Sequence, residues 1–497
     1  MTRPHTTSLA IDAGTSSVRA IVFDQEAHIL ACQQRELSTR HEPGGVVRQS
    51  PAEIIGAVLD CVRTVVDQVA VPIDVVGITN QRESFCLLDT ASRQPVTDIF
   101  SWQDRSTAPW CREMALGGHD SYVKEVTGLP IDPYFSAPKV VKALEKLGLS
   151  SSSTRSVTFA TIDTLIVLAL TDGRHLVTDP SNASRTLLFD TEKLQFSDEL
   201  LEQFGIRSLR LPEVVPSISS GLPCMTPVVP RLDGVPIAGI LGDQQASLLG
   251  QGCTSIGMAK NTYGTGSFLL AHQGETRPRD HGPLLSSIAW TDETGRCDYV
   301  LEGAVYATGS ILRWLRDEVG LISSYSEVDA LLGAPRHDDL TFVPTFEGAG
   351  APWNIPEMRA AILGLGAATT ASDIVHATVD AIAHQCADVI DEMNRVGVAP
   401  ITHLRVDGGA SVIDELCQRQ ADFSRCEVER SSISESTAFG AAVAALIGIG
   451  ALSSWEEIPS LNPIAHRFEP APSLAGPRTA RATWHHRFGR VADLYRA

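Results

Sequence analysis

A strand–turn–strand motif that occurs once in each half of the chain limits the possible folds more than any other feature. The first copy turns at Gly14 and Thr15, and the second turns at Gly264 and Thr265. Apolar runs bounded by Gly, Ser and Thr predict β-hairpins. The predicted flanking strands are residues 9–11, 20–23, 257–261 and 268–271. The recurrence predicts a duplicated architecture, with one copy of the hairpin opening each half.

Helices and strands alternate after each hairpin. In the first half, Ser50 and Pro51 predict a helix that runs to about Val69, and Glu53 stands where it would complete a capping box. In the second half, Ser372 is the predicted cap of a helix over 373–395. Further strands are predicted at 28–32, 75–79 and 404–406, and a further helix at 412–423. This alternation is typical of α/β domains.

The chain is too long for a single hydrophobic core. It has 497 residues, whereas single cores stop growing at about 250–300 residues. A Pro- and Gly-rich stretch at 216–236 indicates the approach to a boundary. We therefore expect two domains, at 1–245 and 246–497, with a cleft between them. Another exposed turn is expected at 150–153.

Charge and composition exclude several function classes. The formal net charge is −19, so nucleic acid and anionic membranes are poor partners. The longest apolar run, 438–449, is shorter than the ~20 residues that a spanning helix needs. The amino terminus has no signal-peptide pattern, and the ten cysteines include no C-x-x-C pair. These features predict a cytoplasmic protein without membrane insertion and without a metal site built from cysteine and histidine alone.

The two hairpin turns carry residue types that bind phosphate. Glycine lets the backbone approach a ligand closely, and hydroxyls and backbone N–H groups can donate to phosphate oxygens. A carboxylate at a strand end, such as Asp12, can hold hydrated Mg²⁺, and Arg19 could compensate phosphate charge. A third turn of this kind follows at 407–409. The candidate phosphate and nucleotide residues are Thr15, Ser16, Ser17, Arg19, Gly264, Thr265, Gly408 and Gly409.

Six motifs occur in an order that resembles the FGGY family of carbohydrate kinases. They read LAIDAGTSSVR, GITNQRES, DPYFSAPK, GDQQASLLGQ, KNTYGTGSF and LRVDGGAS. The resemblance covers about residues 8–470. It implies two ribonuclease-H-like (actin-like ATPase) α/β domains, of which 1–245 would bind polyol and phosphate and 246–497 would bind nucleotide. It also implies ATP and Mg²⁺ as cofactors.

The resemblance further implies roles for individual residues, because the acceptor motifs are most similar to those of family members that phosphorylate glycerol to sn-glycerol 3-phosphate. Asp243 would be the general base and, with Asp12, a metal ligand. Gly309 would join the nucleotide-contacting residues. The implied acceptor residues are Arg82, Glu83, Tyr134, Asp243 and Gln244, with Trp102 and Phe268 as an apolar wall.

The sequence departs from the family pattern mainly on the nucleotide side. Ile413 replaces an asparagine that contacts the adenine in relatives, Leu312 replaces a glutamine of the nucleotide-facing helix, and Ala13 replaces a glutamine of the first turn. Residues 353–355 are Trp-Asn-Ile where Tyr-Trp-Asp is usual. We therefore expect weakened base contacts and a relaxed nucleotide preference.

Other functions remain open from the sequence alone. A kinase for erythritol, xylitol or xylulose would share the fold and the base. A non-catalytic polyol sensor would keep the acceptor site, although retention of Asp12, Thr15 and Asp243 argues against it. An actin-like filament or chaperone ATPase would share only the fold. Relatives that are dimers and tetramers imply a homodimer or homotetramer.

Overall fold

The chain forms two compact α/β units. The computed structural model describes residues 6–149, 153–336, 340–453, 455–473 and 475–496. One unit consists of Met1–Gly252, Ser286–Val300 and Glu435–Asn462, and the other consists of Cys253–Leu285, Leu301–Ser434 and Pro463–Ala497. Both units are therefore discontinuous in sequence. Most of the turn expected at 150–153 lies outside the described residues.

The first 252 residues supply most of the first unit. The strands are β1 (Ser8–Ala13), β2 (Ser17–Phe23), β3 (Ile29–Glu36), β4 (Arg40–Glu42), β5 (Val46–Gln49), β6 (Val75–Asn80), β7 (Phe85–Asp89), β8 (Ile99–Phe100), β9 (Val157–Thr161), β10 (Val177–Thr178), β11 (Phe189–Asp190), β12 (Gln195–Phe196), β13 (Glu213–Val214), β14 (Ile218–Pro223) and β15 (Pro236–Gly242). The helices are α1 (Pro51–Gln68), α2 (Ala108–Leu116), α3 (Asp120–Thr127), α4 (Ser136–Lys146), α5 (Ile162–Leu170), α6 (Pro180–Ala183), α7 (Asp198–Gln203) and α8 (Asp243–Gly250).

A six-stranded sheet organises the first unit, in the order β14-β15-β6-β1-β2-β3. The predicted hairpin β1–β2 is antiparallel, and so is β2–β3, whereas β6 and β15 run parallel to β1. Parallel neighbours bring the carboxyl ends of β1, β6 and β15 to one edge. Gly14 and Arg82 lie in the loops that follow β1 and β6, and Asp243 begins the helix that follows β15, so this edge positions the candidate site.

The rest of the chain supplies the remaining elements. The strands are β16 (Met258–Tyr263), β17 (Ser267–His272), β18 (Leu285–Thr291), β19 (Cys297–Val305), β20 (Thr341–Val343), β21 (Ala361–Leu363), β22 (His403–Asp407), β23 (Glu427–Ser431) and β24 (Ile464–Phe468). The helices are α9 (Gly309–Asp317), α10 (Tyr325–Leu332), α11 (Ala371–Val396), α12 (Asp414–Ser424), α13 (Ser436–Gly448), α14 (Ile458–Leu461) and α15 (Ala475–Asp493).

The sheet of the second unit repeats the topology of the first. Its order includes β19-β17-β16-β22-β23-β24, with β16–β17 antiparallel and β16–β22–β23 parallel. In both sheets one strand of an antiparallel hairpin, β1 or β16, is followed by two parallel neighbours, β6 and β15 or β22 and β23. Each sheet has its own apolar core. The predicted duplication is therefore confirmed, and the topology is that of ribonuclease-H-like domains.

The longest apolar run forms a buried helix of the first unit. Helix α13 packs against the central strands, and a methyl group on Gly77 of β6 would lie 2.0 Å from the Ala441 carbonyl oxygen. The small side chains at this contact thus permit close approach. Among the described residues, no helix combines the length and the apolar content needed to cross a membrane.

The predicted cap of α1 is confirmed without its capping box, and the predicted cap of α11 is wrong. Ser50 does cap α1 by accepting from the Glu53 N–H, but the Glu53 carboxylate accepts from the Ser38 N–H and does not close a capping box. Helix α11 begins at Ala371, two residues earlier than predicted, and its N-cap is Thr370. Thr370 and Asp373 form its capping box, while the Ser372 hydroxyl donates to a backbone carbonyl of α10. In both cases a tertiary contact competes with the local motif.

Candidate active site

Arg82 and Glu83 lie in the loop after β6, and both are almost fully buried. Each is 3% exposed, and Glu83 has a left-handed backbone with φ of 62°. Non-glycine residues seldom adopt this conformation, and it is concentrated at functional sites. The Arg82 Nε atom lies 3.3 Å from Asp243 Oδ1 and 3.8 Å from Glu83 Oε1. One guanidinium thus links the predicted hydroxyl-binding carboxylate to the predicted base.

Asp243 is the first residue of α8, directly after β15. Its Oδ1 accepts from the Gln244 N–H at 2.7 Å, and its side chain is 29% exposed, so it can reach a ligand. A helix amino terminus also favours negative charge there. Gly242 is required at the preceding position, since a methyl group would lie 2.7 Å from Arg82 Cδ. Gln245, on the same helix, also contacts Arg82, since its Oε1 accepts from Arg82 Nη1 at 3.2 Å.

A second buried arginine contacts the Glu83 carboxylate more closely than Arg82 does. Arg185 is fully buried, and its Nε lies 2.6 Å from Glu83 Oε1. The same guanidinium lies 5.5 Å from the ring of Tyr134 and 5.3 Å from the ring of Phe135, within cation–π range. The sequence analysis missed Arg185, which lies in the motif TDPSNASRT. A charged residue in a run of small polar residues was the available signal.

Two aromatic side chains form the wall of the site in the first unit. The rings of Trp102 and Tyr134 meet edge to face, with centroids 5.6 Å apart. Both are partly exposed, as a ligand wall must be. Phe268, the other residue predicted for this wall, lies in β17 of the second unit and is also partly exposed.

Side-chain hydrogen bonds connect the first hairpin turn, predicted to bind phosphate, with Trp102, predicted to contact the acceptor. The Trp102 indole N–H donates to the Thr15 hydroxyl at 2.8 Å, and Thr15 donates to Gln81 Oε1 at 3.4 Å. Gln49 donates to the Thr15 carbonyl at 2.7 Å. The Thr15 side chain therefore connects two predicted subsites. The neighbouring candidates Ser16 and Ser17 lie in and after this turn, exposed and partly exposed.

Negative charge gathers at the carboxyl end of β1. Burial, together with the charges of Asp243 and Glu435, raises the pKa of Asp12 to about 7, while Arg19 opposes the shift. Arg19 Nη1 lies 2.6 Å from Glu435 Oε2. Its predicted phosphate contact stays a prediction. Glu435, which precedes α13, was not singled out from the sequence.

The candidate residues of the second unit also converge. The Gly309 N–H donates to the Gly264 carbonyl at 3.0 Å, and the Arg313 side chain donates to the Thr265 hydroxyl at 3.5 Å. Gly408 has φ of 87°, and a methyl group there would lie 2.5 Å from the Tyr263 carbonyl oxygen. Only glycine fits this left-handed position. Gly409, which begins the following 3-10 turn, has open space around it.

Of the residues in the second unit that depart from the family pattern, some belong to its apolar core and others donate hydrogen bonds to protein groups. Leu312 is 1% exposed and Ile413 is 2% exposed, and both belong to its apolar core. The Trp353 indole N–H donates to Asp388 on α11 at 3.1 Å, and Asn354 donates to the Pro283 carbonyl at 3.3 Å. These side chains are therefore occupied by packing or by protein hydrogen bonds.

We expect weak discrimination among nucleoside triphosphates. Sites that hydrogen-bond a distinguishing group reject analogues by about 10⁴-fold, whereas apolar contacts discriminate by about 10–200-fold. With Leu312 and Ile413 in the core, kcat/KM for ATP should exceed that for GTP or CTP by less than about a hundredfold. Steady-state kinetics with each Mg–nucleotide at saturating acceptor would test this. A larger preference would mean that other groups recognise the base.

These features define a class of protein: a kinase with two ribonuclease-H-like domains and glycine-rich turns in both. Comparisons give the family. The FGGY family of carbohydrate kinases, N-terminal domain, matches residues 7–250, and its C-terminal domain matches residues 259–449. The chain belongs to this family.

Several relatives resemble the chain over most of its length. A glycerol kinase of Halorhodospira halophila is 44% identical over 89% of this chain and 88% of its own. Glycerol kinase 2 of Thermotoga maritima is 40% identical over 93% and 94%. The crystal structure of Plasmodium falciparum glycerol kinase with ADP matches with a TM-score of 0.92 at 27% identity, covering 98% of each chain.

Proposed function

We propose that this protein transfers the γ-phosphoryl group of ATP to a terminal hydroxyl of glycerol, forming sn-glycerol 3-phosphate. The observation that carries the proposal is the cluster of Arg82, Glu83 and Asp243 beside Trp102 and Tyr134. Donor and acceptor groups over an aromatic wall suit a small polyol. Similarity to glycerol kinases over nearly the whole chain supports the same acceptor.

These residues are proposed to position the acceptor and to remove the proton of its attacking hydroxyl. Glu83 and Arg82 bind acceptor hydroxyls, and a carboxylate oxygen of Asp243 takes the proton of the attacking hydroxyl. The acceptor oxygen forms a bond to the γ-phosphorus as the bond to the ADP oxygen breaks. Thr15, Arg19 and Thr265 are proposed to stabilise the transferred group.

Asp12 and Asp243 are the residues proposed to hold Mg²⁺. Burial is the main cause of the raised pKa of Asp12, and the negative charge of Asp243 adds to it, so a divalent cation held between the two carboxylates would stabilise their ionised forms. Oxygen ligands of this kind suit Mg²⁺. When bound, Mg²⁺ would neutralise negative charge on the phosphate groups of the nucleotide.

The decisive experiment measures ADP release from MgATP with glycerol, erythritol, xylitol, xylulose, gluconate or buffer alone. We expect turnover with glycerol at a kcat/KM at least tenfold above every other acceptor, and loss of turnover when EDTA removes Mg²⁺. Faster turnover with a longer acceptor would contradict the substrate proposal. Binding of glycerol without turnover of any acceptor would indicate a sensor.

A further inference from the structure

The side chain of Lys139 lies beneath the acceptor site and has no role in the chemistry above. Lys139 is in the first turn of α4 and is fully buried. Its Nζ donates to the Ser101 carbonyl at 3.1 Å and to the Tyr134 carbonyl at 3.0 Å. Because Ser101 directly precedes Trp102, one ammonium group binds the backbone at Tyr134 and the backbone next to Trp102.

The first turn of α4 also forms hydrogen bonds to two other segments of the candidate site. The Ser136 hydroxyl donates to the Glu83 carbonyl at 2.7 Å, where the backbone is left-handed. The Ala137 N–H donates to the carbonyl of Thr186, the neighbour of Arg185, at 2.9 Å. The start of α4 is therefore a common support for the segments that carry the acceptor-binding side chains.

A buried ammonium is costly unless nearby groups compensate it. The carboxylates of Glu83, Asp104 and Asp132 favour its charge, and Arg105 opposes it. Burial nevertheless lowers the pKa of Lys139 to about 8. An apolar side chain would pack at this position without the free-energy cost of burying an ammonium group. The presence of lysine therefore indicates that its two hydrogen bonds to backbone carbonyls are required.

We propose that Lys139 is a positioning residue that sets acceptor size, because it fixes the separation of the Trp102 and Tyr134 walls. The inference rests on the proposed polyol kinase function. Without the two hydrogen bonds the loop at 101–102 and the segment at 134 can move apart. The pocket should then hold glycerol less firmly and exclude a four-carbon polyol less well.

The test compares Lys139→Met with wild type, since methionine fills similar space without a donor. We expect KM for glycerol to rise at least tenfold, KM for MgATP to change less than twofold, and kcat to fall less than threefold. The ratio of kcat/KM for glycerol to that for erythritol should fall at least tenfold. This ratio does not depend on the fraction of enzyme that is folded. Lys142→Met, on the exposed side of the same helix, should match wild type.

A purely structural role would lower the activity of Lys139→Met equally with both acceptors, and an unchanged ratio would overturn the proposal. If that variant does not fold, Lys139→Arg decides the question. Arginine keeps the charge but presents its donors at another distance, so the ratio should fall at least threefold, and no change would again overturn the proposal. Failure of the proposed function is distinguishable, because it would appear in wild type as absence of glycerol turnover.

Discussion

Replacing Asp243 by asparagine should lower kcat by about 10²–10⁴-fold, the contribution of a positioned general base. The amide has nearly the same shape but cannot accept the proton. Because the Asp243 side chain is 29% exposed and faces Arg82, the substitution should leave folding intact and KM for glycerol within tenfold. Coupled measurement of ADP release at saturating glycerol and MgATP gives kcat directly.

Asp233→Asn is the matched control for this experiment. Asp233 is exposed and precedes β15, the strand that leads to Asp243. The Asp233→Asn variant should therefore retain the kcat of the wild-type enzyme. Glycerol binding by Asp243→Asn, measured by calorimetry, would show that the acceptor site is still formed. If Asp243→Asn kept more than about a tenth of the wild-type kcat, another group would have to be the base.

The overall fold could be predicted from the sequence because its signals are local. Hairpin turns at Gly14 and Gly264 and alternating strands and helices identify two α/β units without any knowledge of long-range contacts. Residues at the ends of β6 and β15 converge because these strands are parallel neighbours in the sheet. The motifs that contain Arg82 and Asp243 could thus be found separately and expected to act together.

The supporting contacts could not be predicted in this way. Arg185 and Glu83 form an ion pair although they lie 102 positions apart in the sequence. Neither motif contains a feature that would predict its contact with the other. Lys139 lies in the same motif as Tyr134, but its hydrogen-bond partners are backbone carbonyls. Every residue has a backbone carbonyl, so the sequence does not indicate which ones Lys139 contacts. Ser372 and Thr370 both carry hydroxyls that can cap α11, and only the contact with α10 decides between them.

The largest effect on stability should come from Arg185→Met. It would leave the Glu83 carboxylate, 2% exposed, with Arg82 Nε at 3.8 Å as its closest remaining ion-pair contact. Breaking a buried ion pair from one side costs about 3–5 kcal/mol, because the remaining charge loses its nearest compensating partner. We expect the melting transition of the variant to fall on the order of 10 °C, which differential scanning calorimetry would measure.

The double variant Arg185→Met/Glu83→Gln separates loss of charge compensation from loss of packing. Removing the carboxylate as well should restore at least half of the lost stability, although activity should stay low because Glu83 is proposed to bind the acceptor. Arg207→Met is the control, since Arg207 and Glu202 form an exposed pair at 3.3 Å whose loss should cost less than about 1 kcal/mol. A melting transition of Arg185→Met close to that of Arg207→Met would mean that water or other groups reach Glu83 and neutralise it. In that event the buried pair would not be what holds the carboxylate in place for the acceptor.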